Sequence, residues 1–364
     1  MRSSGTISAV RTEGLTPSAA RDHLISALSG RGPIALVENE RAAEVVEQIH
    51  AGDPECVVAV LTSGSTGNPK VVGLSGPALA ASITASLVRL RARRGASWSL
   101  LLPLHHIAGV QVLLRAALND GEVGGIDDEV DFTAIVPTQL QRALHGDQRL
   151  LTHLRACRSV LVGGSALAPS LRQAAADADV NIVTTYGMSE TAGGCIYDGR
   201  PLDGVQVRID SDGRIALHGP MLALGYLNDP AAQQEAFVGN WFRTSDLGSW
   251  QHGVLRVAGR ADAVINSGGE QLSLPAVERV LLEHPLVIDA IAAGAPDQTW
   301  GERLVVGVVA SGAVSLAQLR DHVTDHLDRV HAPRGLIVLR EIPKTSLGKP
   351  DRAALLTHPL DEEI

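Results

Sequence analysis

Two patterns of hydrophobic and polar positions follow one another along the chain, and they change near residue 203. Before this point, short apolar runs typical of buried strands alternate with longer periodic stretches typical of helices. Alternation of this kind predicts an α/β fold with mainly parallel sheets that helices cover on both faces. The predicted strands are 56–61, 98–102, 134–136, 159–162 and 181–184, and the predicted helices are 16–30, 40–50, 75–91, 110–118, 137–144 and one from residue 168.

Beyond residue 203 the pattern becomes that of a small β-rich unit at about 203–258. Apolar and polar residues alternate over 205–210 and 214–218, and Asp212-Gly213 lies between them, which predicts a β-hairpin. A separate α+β unit is expected to follow, with helices at 275–283 and 315–327. We therefore predict a large N-terminal domain over residues 1–261 and a small C-terminal domain over 262–364. The acidic end, 361–363, is expected to be a solvated tail.

Composition narrows the possible functions. The net charge of −9 argues against nucleic acid as a partner. No apolar run reaches the roughly 18 residues of a membrane span, and residues 1–14 lack an apolar signal core, so a cytoplasmic protein is expected. Cys56, Cys157 and Cys195 are too far apart for a pairing or metal-binding motif and are expected to be free, buried thiols.

The lysines are few, and their positions are informative. Of the 31 basic residues only three are lysine, namely Lys70, Lys344 and Lys349. A compact ammonium on a flexible stem differs from the planar arginine fork. Lysine in such an arginine-rich chain therefore marks places where arginine would not serve.

Residues 61–70, Leu-Thr-Ser-Gly-Ser-Thr-Gly-Asn-Pro-Lys, follow a predicted buried strand and combine glycines, hydroxyls and a lysine. Glycines allow a ligand close to the backbone, and the donors and positive charge suit phosphate. The spacing is not that of a Walker A loop, because the fifth residue after Gly64 is Pro69. A flexible turn after a strand is the alternative. Other unusual loop residues follow predicted strands at 103–109, 163–165 and 186–191, at the strand ends where such sheets bind ligands.

Seven motifs in this order resemble those of the adenylate-forming superfamily, which includes acyl-CoA synthetases, nonribosomal adenylation domains and beetle luciferases. They are 62–70, 103–109, Tyr186-Gly187-Met188-Ser189-Glu190-Thr191, Thr244-Ser245-Asp246-Leu247-Gly248, Gly259-Arg260-Ala261-Asp262, Ser267-Gly268-Gly269-Glu270 and 343–349. The resemblance implies that a carboxylate attacks the α-phosphate of ATP and releases pyrophosphate. Because two anions must meet, catalysis would be mainly charge neutralisation and positioning.

The resemblance also implies roles for residues around the nucleotide. The β- and γ-phosphates would lie in the loop at 62–70, which Lys70 would orient. Glu190 would bind Mg²⁺, and Ser189 would contact the α-phosphate. A surface carboxylate is the alternative for Glu190. The phosphate-loop residues are Thr62, Ser63, Gly64, Ser65, Thr66 and Gly67.

The nucleoside would be held by further motifs. Asp246 would accept bonds from the ribose hydroxyls, and Arg260 would reach the ribose or the phosphates; an Asp–Arg pair that holds a turn is the alternative. Adenine would lie between Tyr186, which precedes Gly187, and the segment Gly163-Gly164-Ser165, whose glycines permit close approach of a flat ring.

In the resembled family the C-terminal domain serves two half-reactions. Lys349 would bridge the attacking carboxylate and the α-phosphate, whereas Lys344 is expected at the surface. The domain would then pivot near Asp262 and bring Gly268 and Gly269 to the site, where they would line a tunnel for CoA. Such movement keeps the acyl-adenylate from water.

The resemblance implies that the acyl substrate is a small-molecule carboxylate. His106 is the candidate gate of the acyl pocket, and His105 is either a second candidate or a polar loop residue; a metal-binding pair is disfavoured. Three segments, 103–109, 136–140 and 194–199, are most similar to actinobacterial o-succinylbenzoate–CoA ligases. A ligase for another aryl or fatty acid, an enzyme that loads a carrier protein, and a non-catalytic nucleotide-binding regulator are the alternatives. The second carboxylate of o-succinylbenzoate would need a cation or a donor, and the candidates are Arg115, Thr138, Gln139 and Gly193.

Overall fold

The computed structural model describes residues 6–49, 53–62, 69–261, 263–344 and 350–363. The helices within these ranges are all too short or too polar to cross a bilayer. The three cysteines are buried and free, as predicted. Burial raises the thiol pKa to about 11 in Cys56 and Cys157 and to about 12 in Cys195.

The N-terminal segment begins the first sheet. Its elements are β1 (Ser8–Arg11), α1 (Pro17–Leu28), β2 (Ile34–Val37), α2 (Glu40–Glu47), β3 (Cys56–Thr62) and β4 (Lys70–Ser75). Strands β1 to β3 are parallel, whereas β4 returns antiparallel to β3 with Thr62 opposite Lys70. The sequence did not reveal β1, β2 or β4. The phosphate-loop motif therefore connects two strands of a hairpin and does not lead directly into a helix.

The next segment builds the second sheet. Its elements are α3 (Gly76–Arg89), β5 (Trp98–Ser99), α4 (Ile107–Leu118), β6 (Val123–Gly124), β7 (Phe132–Ile135), α5 (Pro137–Leu144), α6 (Gln148–Ala156), β8 (Ser159–Val162), α7 (Pro169–Asp177), β9 (Ile182–Met188), β10 (Gly193–Tyr197) and β11 (Arg200–Pro201). The strand order is β11-β10-β9-β8-β7-β5-β6. Strands β9 to β6 in this order are parallel, as predicted, and β10 and β11 are antiparallel additions.

Helices α3 and α4 contribute to two cores. Leu79 and Leu113 pack with Leu74 in the core beside the first sheet. Val112 packs with Trp98 in the core beside the second sheet. The two sheets therefore enclose these helices, and α4 begins at Ile107, within the motif at 103–109.

The third sheet is antiparallel, as the hairpin pattern predicted. Its region contains β12 (Gln206–Ile209), β13 (Arg214–His218), β14 (Gly225–Tyr226), α8 (Pro230–Ala236), β15 (Phe237–Val238), β16 (Trp241–Gln251) and β17 (Val254–Arg260). The order is β12-β13-β16-β15, and β17 pairs with β16. Strand β14 instead joins β4 in the first sheet, whose order is β1-β2-β3-β4-β14.

The C-terminal segment forms a fourth sheet. It contains β18 (Val264–Ser267), β19 (Glu270–Ser273), α9 (Leu274–Leu281), β20 (Val287–Asp297), β21 (Gly301–Ala310), α10 (Leu316–His326), β22 (Gly335–Val338), α11 (Arg352–Leu355) and β23 (Glu362–Glu363). The order is β19-β18-β21-β22-β23, and β20 pairs with β21. Residues 361–363 are exposed, as expected, but they are not a free tail. Strand β23 pairs with β22, and Glu362 accepts a bond from the Leu316 amide at 2.8 Å.

Candidate active site

Glu190 lies on a short 3-10 turn, Ser189–Thr191, directly after β9. The hydroxyl of Thr191 accepts a bond from the Met188 amide at 2.9 Å and donates to the Gly193 carbonyl at 2.7 Å, so it closes the turn. Ser82 on α3 and Gln111 on α4 donate to the Ala192 carbonyl that follows. Ser189 and Glu190 are only 8% and 9% exposed. The Glu190 carboxylate is therefore not a surface group and is held by the elements around it.

Tyr226 on β14 connects Glu190 to the phosphate hairpin, which is the β3–β4 hairpin that carries the phosphate-loop motif. The Tyr226 hydroxyl donates to Glu190 Oε1 at 2.7 Å, and Lys70 Nζ lies 4.7 Å from the centre of the Tyr226 ring. Burial, followed by the charge of Glu190, raises the Tyr226 pKa, while the charge of nearby Arg260 opposes the rise. Lys70, Glu190 and Arg260 therefore all lie around one tyrosine.

The base of the phosphate hairpin is fixed by Asn228. Its side-chain oxygen accepts from the Val71 amide at 2.8 Å, and its nitrogen donates to the Pro69 carbonyl at 2.9 Å. The Thr62 hydroxyl donates to the Lys70 carbonyl across the hairpin at 3.4 Å. The remaining predicted residues of this loop lie outside the described residues; they are Ser63, Gly64, Ser65, Thr66 and Gly67.

The predicted nucleoside residues Tyr186 and Asp246 contact each other. The Tyr186 hydroxyl donates to Asp246 Oδ2 at 2.7 Å. Burial, and then the Asp246 charge, raises the Tyr186 pKa, so the phenol stays a hydrogen-bond donor. Asp246 on β16 is directly opposite Arg260 on β17. A carboxylate has about four acceptor positions, so one phenol does not fill them all.

Glycines beside these residues are required by close backbone approach. A Cβ at Gly163 would lie 2.3 Å from the Thr185 hydroxyl oxygen, and one at Gly187 would lie 2.2 Å from the Gly193 carbonyl oxygen. Gly164 has φ +87°, a conformation that favours glycine. Gly164 and the adjacent Ser165 are exposed. The loop after β8 thus lies against the strand that carries Tyr186 and presents an open backbone.

The two histidines lie at the start of α4. Their ring centres are 4.5 Å apart, and His106 is the residue that immediately precedes the helix. The Nε2 atom of His105 is buried and has no hydrogen-bond partner in the described part of the chain. Burial lowers the His105 pKa, which favours the neutral ring.

In the C-terminal segment, Gly268 and Gly269 form the turn between β18 and β19. Their φ angles are +60° and +86°, and the Gly268 amide donates to the Trp300 carbonyl at 2.9 Å. A Cβ at Gly268 would lie 2.8 Å from the Trp300 ring, whose other contacts include the Arg334 guanidinium 3.9 Å from a ring centre. None of the sequence motifs includes Trp300. Glycine is thus required at 268 because an aromatic ring covers it.

The loop of 343–349 is closed at its base. Lys344 pairs with Pro350 in an isolated antiparallel bridge, and the Asp351 amide donates to the Pro343 carbonyl at 2.8 Å. Asp262 and Lys349 lie outside the described residues.

Gln141 on α5 donates to the Ile288 carbonyl on β20 at 2.9 Å, so the fourth sheet contacts the second-sheet region.

The Glu190 region fits a magnesium ion that is shared with a nucleotide. Mg²⁺ in such sites commonly takes one or two carboxylates together with phosphate oxygens and waters. Glu190 supplies a buried carboxylate with one oxygen directed to Tyr226. Across the ranges that the structure describes, no three His, Cys, Asp or Glu side chains form a complete metal site. The residues present therefore suit an ion that arrives with its phosphates.

Comparisons with known proteins show the family to which the chain is related. The model of the AMP-binding enzyme family matches residues 14–227, and that of the AMP-binding enzyme C-terminal domain matches 276–349. A protein of Mycobacterium tuberculosis named as a probable 2-succinylbenzoate–CoA ligase is 39% identical over 343 residues, covering 86% of this chain and 87% of the relative. The 2-succinylbenzoate–CoA ligase of Listeria monocytogenes is 29% identical over 81% of this chain and 68% of its own length.

Solved structures show the same fold. The o-succinylbenzoate CoA synthetase of Bacillus subtilis, in complex with an acyl-adenylate intermediate, matches with a TM-score of 0.76 at 23% identity. The match covers 98% of this chain and 84% of that chain. The two family models together match most of the chain in the expected order, and the large N-terminal and smaller C-terminal parts are those of this fold. The chain belongs to the AMP-binding enzyme family of adenylate-forming enzymes.

Proposed function

We propose that this protein is an ATP-dependent acid–CoA ligase that activates o-succinylbenzoate in menaquinone biosynthesis. The observation that carries the substrate is the 39% identity with the mycobacterial relative over 86% of this chain. The cluster of Lys70, Glu190 and Arg260 around Tyr226 supports the reaction class, since the reactants are anions. The reaction needs ATP, Mg²⁺ and CoA, and we place it in the cytoplasm, where these are supplied.

Adenylation follows from charge neutralisation and positioning. Mg²⁺, when bound, supplies positive charge to the phosphates, and Glu190 would hold it. The hydroxyls and amides of residues 62–67 would hold the β- and γ-phosphates, and Ser189 the α-phosphate. Asp246 would accept from the ribose hydroxyls, and Tyr186 would pack against adenine. Lys349 would neutralise charge as the substrate carboxylate attacks the α-phosphate.

Thioester formation uses the smaller domain, which we assign to residues 262–364 with its pivot at Asp262. The turn at Gly268 and Gly269 would line the path of the pantetheine arm, and the Trp300 ring covers one side of that turn. His106 would gate the acyl pocket between the two steps. These roles divide the chemistry between residues 1–261, which bind ATP and acid, and the domain that alternates between Lys349 and the glycine turn.

Arg115 is the candidate for the second carboxylate of the substrate. It is 3% exposed on α4, its Nη2 donates to the Tyr197 hydroxyl at 3.3 Å, and its Nε is buried without a partner in the described residues. No described acidic side chain pairs with it, and a buried charge without a counter-ion favours an anionic ligand. Gln139 is less suitable, because its oxygen accepts from the Val136 amide and its nitrogen donates to the Leu101 carbonyl.

The substrate is tested with purified protein, ATP, Mg²⁺, CoA and a panel of acids, with AMP and acyl-CoA as the products measured. We expect turnover of o-succinylbenzoate to exceed that of benzoates and fatty acids. Turnover of those acids without turnover of o-succinylbenzoate would overturn the assignment. Formation of the acyl-adenylate without transfer of the acyl group to CoA, together with acylation of a carrier protein, would favour the carrier-loading alternative.

The role of Arg115 is tested by Arg115→Met and by two substrates. We expect kcat/KM for o-succinylbenzoate to fall about 10- to 100-fold, as for a lost hydrogen bond to a charged group. The analogue 4-oxo-4-phenylbutanoate lacks the ring carboxylate, so its kcat/KM is expected to change little in Arg115→Met. Equal losses for both acids would contradict the assignment.

A further inference from the structure

Tyr226 lies where two parts of the proposed nucleotide site meet, although no motif in the sequence analysis included it. Strand β14 consists of Gly225 and Tyr226 and pairs with β4, with Tyr226 opposite Val72. Lys70 begins β4, and Glu190 follows β9 of the second sheet. The tyrosine therefore lies between charged groups that come from two different sheets.

The Tyr226 hydroxyl holds the Glu190 carboxylate. It donates to Glu190 Oε1 at 2.7 Å, and the carboxylate lies on a buried turn. A tyrosine phenol carries its proton near neutral pH and is therefore a hydrogen-bond donor. By donating to one oxygen of the carboxylate, the phenol orients the group. The second carboxylate oxygen remains for a cation.

The Tyr226 ring contacts the Lys70 ammonium. Lys70 Nζ lies 4.7 Å from the ring centre, within the distance of a cation–π contact. On another side, Phe237 packs edge-on against the ring at 5.7 Å with an interplanar angle of 80°. The ammonium therefore rests on a ring that also packs against the core beside the first sheet.

The backbone of Tyr226 is also fixed before any ligand binds. Its amide donates to the Gln233 side-chain oxygen at 2.8 Å, and the next amide, Leu227, donates to the Val71 carbonyl at 2.8 Å. Gly225 has φ +133°, and a Cβ there would lie 2.0 Å from the Gln233 oxygen. The position of the tyrosine is thus a property of the scaffold.

We propose that Tyr226 is a positioning residue that holds the Glu190 carboxylate for Mg²⁺ through its hydroxyl and the Lys70 ammonium for the nucleotide phosphates through its ring. The proposal rests on the proposed function, because it requires that the protein binds MgATP. It goes beyond that function in giving one side chain two separable tasks. The hydroxyl serves the metal-dependent part of ATP binding, and the ring serves the metal-independent part.

Two substitutions separate these tasks. Tyr226→Phe removes the hydroxyl and keeps the ring, so it should reduce the gain in ATP affinity that Mg²⁺ provides by about tenfold, as for one hydrogen bond to a charged group. ATP affinity in EDTA should stay the same. Tyr226→Leu removes both contacts and should also weaken ATP binding in EDTA, by about two- to fivefold, the size of an exposed cation–π contact.

Calorimetric titration of ATP with and without Mg²⁺ measures both quantities without turnover. Phe237→Leu is the packing control, because it loosens the ring but leaves the hydroxyl, and its Mg²⁺-dependent gain should match that of the unsubstituted protein. In the Glu190→Gln background, Tyr226→Phe should cause little further loss. That coupling decides the proposal even if Tyr226→Leu does not fold.

Equal losses of ATP affinity in EDTA and in Mg²⁺ for Tyr226→Phe, or additive losses with Glu190→Gln, would overturn the positioning role. An unchanged Mg²⁺-dependent gain in Tyr226→Phe would also overturn it and leave the proposed function intact. Failure of the unsubstituted protein to bind MgATP would overturn both.

Discussion

The loops at 62–70 and 343–350 are built alike at their bases, each of which includes a lysine, and they differ in that the second carries a further lysine between its base residues. Thr62 pairs with Lys70 at the base of the first, and Lys344 pairs with Pro350 at the base of the second. Lys70 is itself a base residue and lies over the Tyr226 ring. Lys349, by contrast, belongs to the stretch between the base pairs in sequence. A lysine fixed in a strand suits orientation of a loop, and we assign the chemistry to the other one.

The two bases are also anchored by different forces. Asn228 holds the first with neutral hydrogen bonds to the Val71 amide and the Pro69 carbonyl. The second is followed by Arg352, which donates from Nε to the Ala292 carbonyl at 2.9 Å and from Nη2 to Glu278 Oε1 at 2.8 Å. Burial raises the Glu278 pKa, and the Arg352 charge opposes that rise. The second anchor therefore depends on a partly buried ion pair, which is more sensitive to loss of one partner.

The largest effect is expected for Lys349→Ala, which tests the assignment of chemistry to the second loop. Adenylation should fall about 100- to 1,000-fold, the cost of removing one group that stabilises transition-state charge. Thioester formation from supplied acyl-adenylate should be largely retained. The two steps are followed by pyrophosphate release and by acyl-CoA formation. Lys344→Ala is the matched control and should leave both steps nearly unchanged; equal loss of both steps in Lys349→Ala would contradict the role.

Asp246 lies outside both loops and gives a reference for nucleotide binding alone. Asp246→Ala should raise the KM for ATP about 10- to 100-fold, since hydrogen bonds to charged groups are worth about 1.5–3 kcal/mol. Steady-state kinetics at saturating acid measures this change. Asp210→Ala removes a carboxylate that pairs with Arg208 and Arg243 elsewhere in the same region and should leave the KM unchanged. An unaltered KM in Asp246→Ala would remove the ribose contact from the site.

Local signals explain which elements the sequence could reveal. Strand β8, Ser159–Val162, has the predicted bounds, because an apolar run ends there in glycines. Helix α1 begins at Pro17 after Thr16, whose hydroxyl accepts from the Ala19 amide at 3.2 Å. Helix α6 was missed although Asp147 caps it and Leu150, Leu151 and Leu154 mark its buried face. These leucines have the spacing of one helical face, so the sequence does carry a local signal for this helix.

Other elements depend on partners far away in sequence. Strand β14 has only two residues, and its partner β4 lies about 150 residues earlier, so no local periodicity marks it. Tyr226 and Asn228 were missed for the same reason, because their roles come from bonds to Glu190, Val71 and Pro69. The motifs identified the residues proposed to contact the ligand. They did not identify the residues that hold those contacts in place.

Arg352→Lys tests whether the second anchor positions the loop. Lysine keeps the charge near Glu278 but loses the planar fork that reaches the Ala292 carbonyl as well. We expect adenylation to fall about tenfold, the size of one lost charged hydrogen bond, with thioester formation from supplied acyl-adenylate within about twofold. Arg279→Lys on α9 alters the exposed pair with Glu283 and should change neither step. Equal losses in both steps would show a general weakening of the domain instead.

The smallest effect is expected for Asn228→Ala, which removes two neutral bonds from the first anchor. Each such bond contributes about 1 kcal/mol, and the hairpin keeps its strand pairing, so the KM for ATP should rise only about three- to fivefold while kcat changes little. Asn181→Ala is the matched control: its side chain donates to the Arg158 carbonyl at 2.6 Å and to Ser159, away from the nucleotide residues. If both variants lose similar thermal stability, but only Asn228→Ala changes the KM, the bonds at the hairpin base serve nucleotide binding. A fall in kcat larger than the rise in KM would instead give the first loop a part in the chemical step, and the contrast between an orienting lysine and a reacting lysine would no longer hold.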